Sequence, residues 1–182
     1  MLDVTKILAA MLVCATLSGC SQESNQQPEP NSEEYPLDGT LSAVMTIDPT
    51  VSILQNGNNP FTLFDENGEV GVQGTFITAD EYNNCLSLVE SQNGKDGLTI
   101  IEQDFHSGIG DYTLYQYDSS LDTAYTDDAG EFIEYDYLAM IANSNYGVML
   151  GGTKDQETVR KAFESLDIDI VDTSAGVEGK TE

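Results

Sequence analysis

Apolar and polar positions alternate with period two from Leu41 onward. Leu41, Ala43, Met45 and Ile47 stand against Ser42 and Thr46. Successive side chains of a strand point to opposite faces, so this spacing gathers the four apolar residues on one face. Short apolar runs follow at "VSIL" (51–54) and "FTLF" (61–64). Between the second run and "VGVQGTFI" (70–77) lies "DENGE" (65–69), whose Asn67-Gly68 pair tolerates the positive φ angles of a tight hairpin. Strand patterns return at "LTIIEQDF" (98–105), "DYTLYQYD" (111–118), "FIEYDYLAMIA" (132–142) and "YGVMLGG" (146–152). "NGKDG" (93–97) and "NSN" (143–145) are turn sequences between them.

Two stretches change period. Thr78 and Glu81 have the spacing of a capping box, and Tyr82, Cys85, Leu86 and Val89 recur at i, i+3, i+4 and i+7. This predicts a helix laid on the sheet, with Cys85 as a small apolar residue of its buried face. A second helix is predicted after Thr153, paired with Gln156 as its capping box, with Val159, Ala162, Phe163 and Leu166 inward. "IDIV" (168–171) then returns to a sheet edge. Strands, helix, strand meander and helix in that order predict an α+β fold, an antiparallel sheet covered by two helices.

The closing unit, "FIEYDYLAMIANSNYGVMLGGT" followed by "KDQETVRKAFESLDI", is similar to the end of PsbP-like domains, named for an extrinsic subunit of photosystem II. "TADEYNNCLSLV" resembles their first helix. The resemblance covers residues 40–171 and implies a PsbP-like sandwich with a non-catalytic binding or assembly role. It carries no site residue onto this chain.

The N-terminal region has a different pattern. The uncharged apolar run Ile7–Thr16 is too short for a hydrocarbon core that needs about 20 residues. Its length is that of a secretory signal's central region. Leu17, Ser18, Gly19 and Cys20 close it and resemble the lipobox of bacterial lipoproteins. The resemblance implies cleavage before Cys20, lipid on that cysteine, and a membrane partner reached through the lipid. Two acyl chains hold where one is marginal. Residues 1–19 therefore read as a lipoprotein signal peptide. Residues 20–38 read as the lipidated Cys20 and a polar tether too poor in apolar residues to offset ordering entropy. Residues 39–171 read as one α+β domain and 172–182 as a flexible acidic tail.

The formal net charge is −26, with 32 acidic and 6 basic residues. Binding to nucleic acid depends on Lys and Arg neutralising phosphates, so this charge argues against a nucleic-acid partner. It favours solubility of an exported domain and leaves cations, basic proteins or neutral ligands as partners. Cys14 leaves with the signal and Cys20 takes lipid, so Cys85 is the one remaining thiol and no internal disulfide forms.

Candidate chemistry is sparse. His106 is the single histidine, and neighbouring Ser107 lies outside any Gly-x-Ser-x-Gly turn. One His and one Cys do not make a nitrogen–sulfur zinc site. "DSSLDTAYTDDAGE" (118–131) spaces Asp118, Ser120 and Asp122 like the start of a calcium loop. Thr123 stands where that loop needs Gly, and Ala129 where it needs Glu. Asp127, Asp128 and Glu131 remain as further oxygen donors. No cofactor, metal ligand or catalytic residue is assigned. Tyr112, Tyr115, Tyr117, Tyr125, Tyr135, Tyr137 and Tyr146 crowd the second half, and each of the pairs 115/117 and 135/137 shares a face. Sheet propensity accounts for most of them, and a ligand or protein surface is the other use of such a set. The sequence thus points to an envelope-anchored, extracytoplasmic lipoprotein of the cell membrane or outer membrane, not an enzyme, with a binding or assembly role. An envelope hydrolase using a carboxylate pair and a calcium-responsive structural protein are the alternatives.

Overall fold

A computed structural model describes residues 31–55, 60–65, 67–125 and 130–173. Its strands are β1 (Asn31–Asp38), β2 (Leu41–Ile47), β3 (Ile53–Gln55), β4 (Phe61–Phe64), β5 (Val70–Thr78), β6 (Leu98–His106), β7 (Asp111–Asp118), β8 (Ile133–Met140), β9 (Tyr146–Gly152) and β10 (Leu166–Asp172). Helix α1 spans Ala79–Gln92 and helix α2 spans Gln156–Glu164. All sheet pairings are antiparallel. β1, β2 and β10 form one sheet in the order β1-β2-β10, and the other seven run β3-β4-β5-β9-β8-β7-β6.

The larger sheet is covered on both faces. One face packs on the small sheet and α2 around Tyr35, Met45, Phe61, Leu63, Leu114, Tyr137, Val148, Leu150 and Phe163. The other packs on α1, where Val89, Leu98, Tyr115, Leu138 and Met149 meet the half-buried Tyr82, Cys85 and Leu86. The fold is thus α+β, as the alternation and helix periods predict. Asn67-Gly68 makes the β4–β5 turn. Gly68 sits at φ +76°, and the Asp65 carboxylate accepts from the amides of Asn67 and Glu69 at 2.9 Å each. The Thr78 capping box forms: its Oγ1 accepts from the Glu81 amide at 3.3 Å, and Glu81 Oε2 accepts from the Thr78 amide at 2.8 Å.

Three boundaries differ from those the sequence predicts. The domain includes Asn31–Asp38, ahead of the expected start at residue 39: these last eight residues of the expected tether are strand β1, paired along β2 from Asn31↔Ile47 to Asp38↔Leu41. Two residues account for this. Tyr35 is 0 % exposed in the core and Leu37 packs beside it, while Glu34 and Pro36 lie on the other face. Pro36 lacks an amide hydrogen, and an edge strand tolerates that. The second helix is capped by Asp155, whose Oδ1 accepts from the Thr158 amide at 3.1 Å, in place of the Thr153 and Gln156 pair. A carboxylate beside the first turn satisfies a free amide and faces the positive end of the helix dipole. Leu166 falls outside the helix and opens β10, which reaches Asp172; Thr173 still donates its amide to Thr40 O at 2.7 Å. Cys20, residues 21–30 and residues 174–182 lie outside the described residues.

Candidate binding cleft

β8 divides the candidate chemistry. Its odd residues Tyr135, Tyr137 and Ala139 face the core shared with α2, and its even residue Leu138 faces α1. At the start of β8, on the α2 side, is a cleft of about 480 Å³ lined by Asp118, Glu131, Phe132, Tyr135, Lys154 and Asp155, among others. Three elements converge there: the end of β7, the start of β8, and the segment leading into α2.

Local hydrogen bonds fix the cleft walls. Asp118 caps a single 3₁₀ turn, Ser119–Leu121, its Oδ1 accepting from the Ser120 amide at 3.0 Å and the Ser120 hydroxyl at 2.6 Å. The buried Ser119 hydroxyl donates to Phe132 O at 3.1 Å and accepts from the Phe132 amide at 2.8 Å, tying the turn to β8. Phe132 packs against Tyr117 and Tyr125, with ring centroids 5.8 and 5.5 Å away. On the far wall, hydrogen bonds from Thr158 hold the Asp155 carboxyl below its ordinary range. Lys154 is turned toward β4 and β5, its Nζ 3.3 Å from Glu69 and 3.8 Å from Asp65. The cleft thus presents carboxylates at its rim and aromatic rings beside them.

The described carboxylates of the calcium-like spacing serve local hydrogen bonds. Asp118 is committed to its own turn, while Asp122 accepts from the Ala124 amide at 2.8 Å and the Tyr117 hydroxyl at 2.8 Å. Among the described residues no three His, Cys, Asp or Glu side chains gather around one point. Asp127 and Asp128 lie outside the described residues. His106 is a surface residue, its Nδ1 2.8 Å from Asp111 Oδ1, and the Ser107 hydroxyl donates to Gly110 O within a turn at 3.0 Å. Cys85 lies half-buried on α1, and burial, with Glu81 nearby, pushes its thiol pKa up and away from reactivity.

The tyrosines serve mainly the core. Tyr112, Tyr115, Tyr117 and Tyr137 are 7, 3, 5 and 1 % exposed. Tyr137 stacks on Phe163 with centroids 4.1 Å apart. The pairs 115/117 and 135/137 each hold to one face, but to opposite faces of the sheet. Tyr135 alone of these seven lines the cleft.

Sequence reasoning passed over one group. Glu134 and Asp136 lie on the α1 side of β8, between the tyrosines whose spacing drew the sequence reading. Asp136 is 4 % exposed, and its Oδ2 has no hydrogen-bond partner. Burial raises the pKa of Asp136 well above the carboxylate range and that of Glu134 to about 7. No helix among the described residues is long and apolar enough to cross a membrane. No protein-family profile, curated protein or solved structure matches the chain.

Proposed function

We propose that this protein is a lipid-anchored, non-catalytic binding or assembly module of the cell envelope, held by lipid on Cys20 with its α+β domain displayed outside the cytoplasm. The observation that carries this reading is the lipobox-like Leu17–Cys20 standing only ten residues before the first strand, at Asn31. Ten residues span at most about 35 Å even when fully extended, so the domain stays close to the membrane surface. The resemblance of the β8–β9 hairpin and α2 to PsbP-like domains belongs to the same reading. The cleft supports a ligand class. Asp118, Glu131 and Asp155 favour a basic group, and Phe132 and Tyr135 offer rings for its alkyl stem or cation–π contact. A net charge of −26 steers such a ligand inward.

One experiment with two arms tests this. In cells fed radiolabelled palmitate, the wild type should take up label and partition into detergent, and Cys20→Ala should do neither. Label retained by Cys20→Ala would sink the anchor. In the second arm a lysine-rich peptide is titrated onto the detergent-solubilised full chain. Glu131→Gln with Tyr135→Ala should weaken binding several-fold at fixed salt, whereas unchanged affinity would remove the cleft from the proposal.

A further inference from the structure

Asp136 lies in a nook built for a carboxyl group. It pairs across the sheet with Tyr115 on β7 and Gly151 on β9. A Cβ on Gly151 would run into the Asp136 carboxyl, so the bare backbone of β9 makes the space that the acid occupies. Glu134, two residues earlier, shares that face of β8. Both side chains sit beside the α1 layer, where Tyr115 packs with Leu138, Met149 and Cys85.

No cation among the described residues answers them. The basic side chains of the described residues are committed elsewhere. Lys95 donates to Ser91 O, Lys154 meets Asp65 and Glu69, Arg160 meets Glu102 and Glu164, and Lys161 meets Glu157. The titratable groups facing the pair are Tyr115 and Tyr117 from β7, with Cys85 of α1 beyond Tyr115; β9 brings bare backbone at Gly151. All three are neutral or anionic when they titrate, so none supplies positive charge. A buried charge without a partner neutralises itself by taking a proton. A divalent cation would need about six oxygens, and the nook offers two carboxyl groups.

We propose that Glu134 and Asp136 form a proton-holding carboxyl pair that keeps α1 seated on the sheet in mildly acidic surroundings and loosens it as the pH rises. Both groups lose their protons earlier in the unfolded chain than in the folded one. Their contribution is therefore most favourable below the ordinary carboxylate range. It falls as pH climbs to about 7, where Glu134 ionises, and keeps falling above that through Asp136. Because β8 carries Tyr135 and Ile133 on its opposite face, the same strand joins this pair to the cleft.

The test is thermal unfolding of the full chain from pH 5 to pH 8.5, for the wild type, Asp136→Asn and Glu134→Gln. Asp136→Asn keeps the shape of the side chain without the charge. It should gain on the wild type as pH rises, reaching a Tm several degrees higher at pH 8.5, with Glu134→Gln showing a smaller gain. Carboxyl ¹³C shifts should place the Glu134 titration near pH 7. Amide exchange of α1 should quicken with pH in the wild type more than in Asp136→Asn. Parallel Tm profiles for wild type and both variants would overturn the proposal. So would a Glu134 titration in the ordinary carboxylate range. A saturable rise in wild-type Tm with millimolar calcium at pH 8.5, absent in Asp136→Asn, would replace the proton by a metal.

Discussion

Strand β1 can be tested through one side chain. Tyr35 is fully buried, with Phe61 and Phe76 ring centroids 5.7 and 5.2 Å from its own. An aromatic side chain of this kind buries about 150–250 Å², worth roughly 4–6 kcal/mol at about 25 cal/mol per Å². Residual burial in the unfolded chain lowers that figure. Two ring contacts add about 0.5–1.5 kcal/mol each. Tyr35→Ala is therefore expected to cost about 3–5 kcal/mol, the range seen for aromatic truncations in cores. Tyr35→Phe should behave in the opposite way. The hydroxyl is buried without a partner, and burial pushes its pKa to about 12. Leaving such a group unpaired costs about 1–3 kcal/mol, so its removal should be neutral or stabilising.

Urea unfolding of both variants, compared at constant slope, measures the two effects. A chain starting at Asn31 should keep the wild-type transition. One starting at Gly39 should lose at least as much as Tyr35→Ala, since Leu37 and the β1–β2 ladder go too. If Tyr35→Ala fell within 1 kcal/mol of wild type, β1 would not belong to the core. If Tyr35→Phe cost more than about 1 kcal/mol, the hydroxyl would have a partner and the second half of the reasoning would fail.

Two further predictions concern α2. Arg160 holds Glu102 of β6 through Nη2–Oε1 at 2.6 Å and Nη1–Oε2 at 3.4 Å, and the Tyr112 hydroxyl donates to Oε2 at 2.7 Å. The Arg160 hydrogen bonds lower the Glu102 pKa, so this stabilisation is present above the ordinary carboxylate range and lost as pH falls through it. Arg160→Ala should cost about 1.5–3 kcal/mol at neutral pH, and the gap to wild type should close in acid melts below about pH 4. Asp155→Ala should cost about 0.5–2 kcal/mol by removing the helix cap, while Thr153→Ala changes denaturant midpoints little. Equal losses from the two would return the cap to Thr153.

Much of the fold was legible because its signal is local. The strand runs from Phe61 onward and the Thr78 cap lie within a few residues of their predicted places, since period, turn chemistry and capping are written in neighbouring positions. β1 was not legible for the complementary reason. Its apolar content is Tyr35 and Leu37 among Asn, Ser, Glu, Pro and Asp, and what orders it is pairing with β2 across the chain. The cap of α2 was missed because Thr153 and Asp155 both precede a helical pattern, and only geometry chooses between them. The site was the least legible. Asp118 and Asp122 look like ligands in sequence, yet each is used by its own turn. Glu134 and Asp136 drew no reading at all, because alternation with tyrosine gives the same pattern whether the other face meets water or a helix.

The acidity of the chain bears on that last pair in a way that salt can separate. With a net charge of −26, every ionised carboxylate adds repulsion, and any cation that screens it raises stability without needing a site. That screening acts over a Debye length of about 8 Å at physiological ionic strength and works on exposed charges. Asp136 is 4 % exposed, so the cost of ionising it is chiefly desolvation. Added NaCl should therefore lift the melting curves of wild type and Asp136→Asn together, and the difference between them at high pH should persist. A difference that vanished in salt would assign the pH dependence to surface repulsion. One that survives belongs to the nook between β7, β8 and β9, where the glycine at position 151 makes room for an acid and no basic side chain of the described residues is at hand to neutralise it.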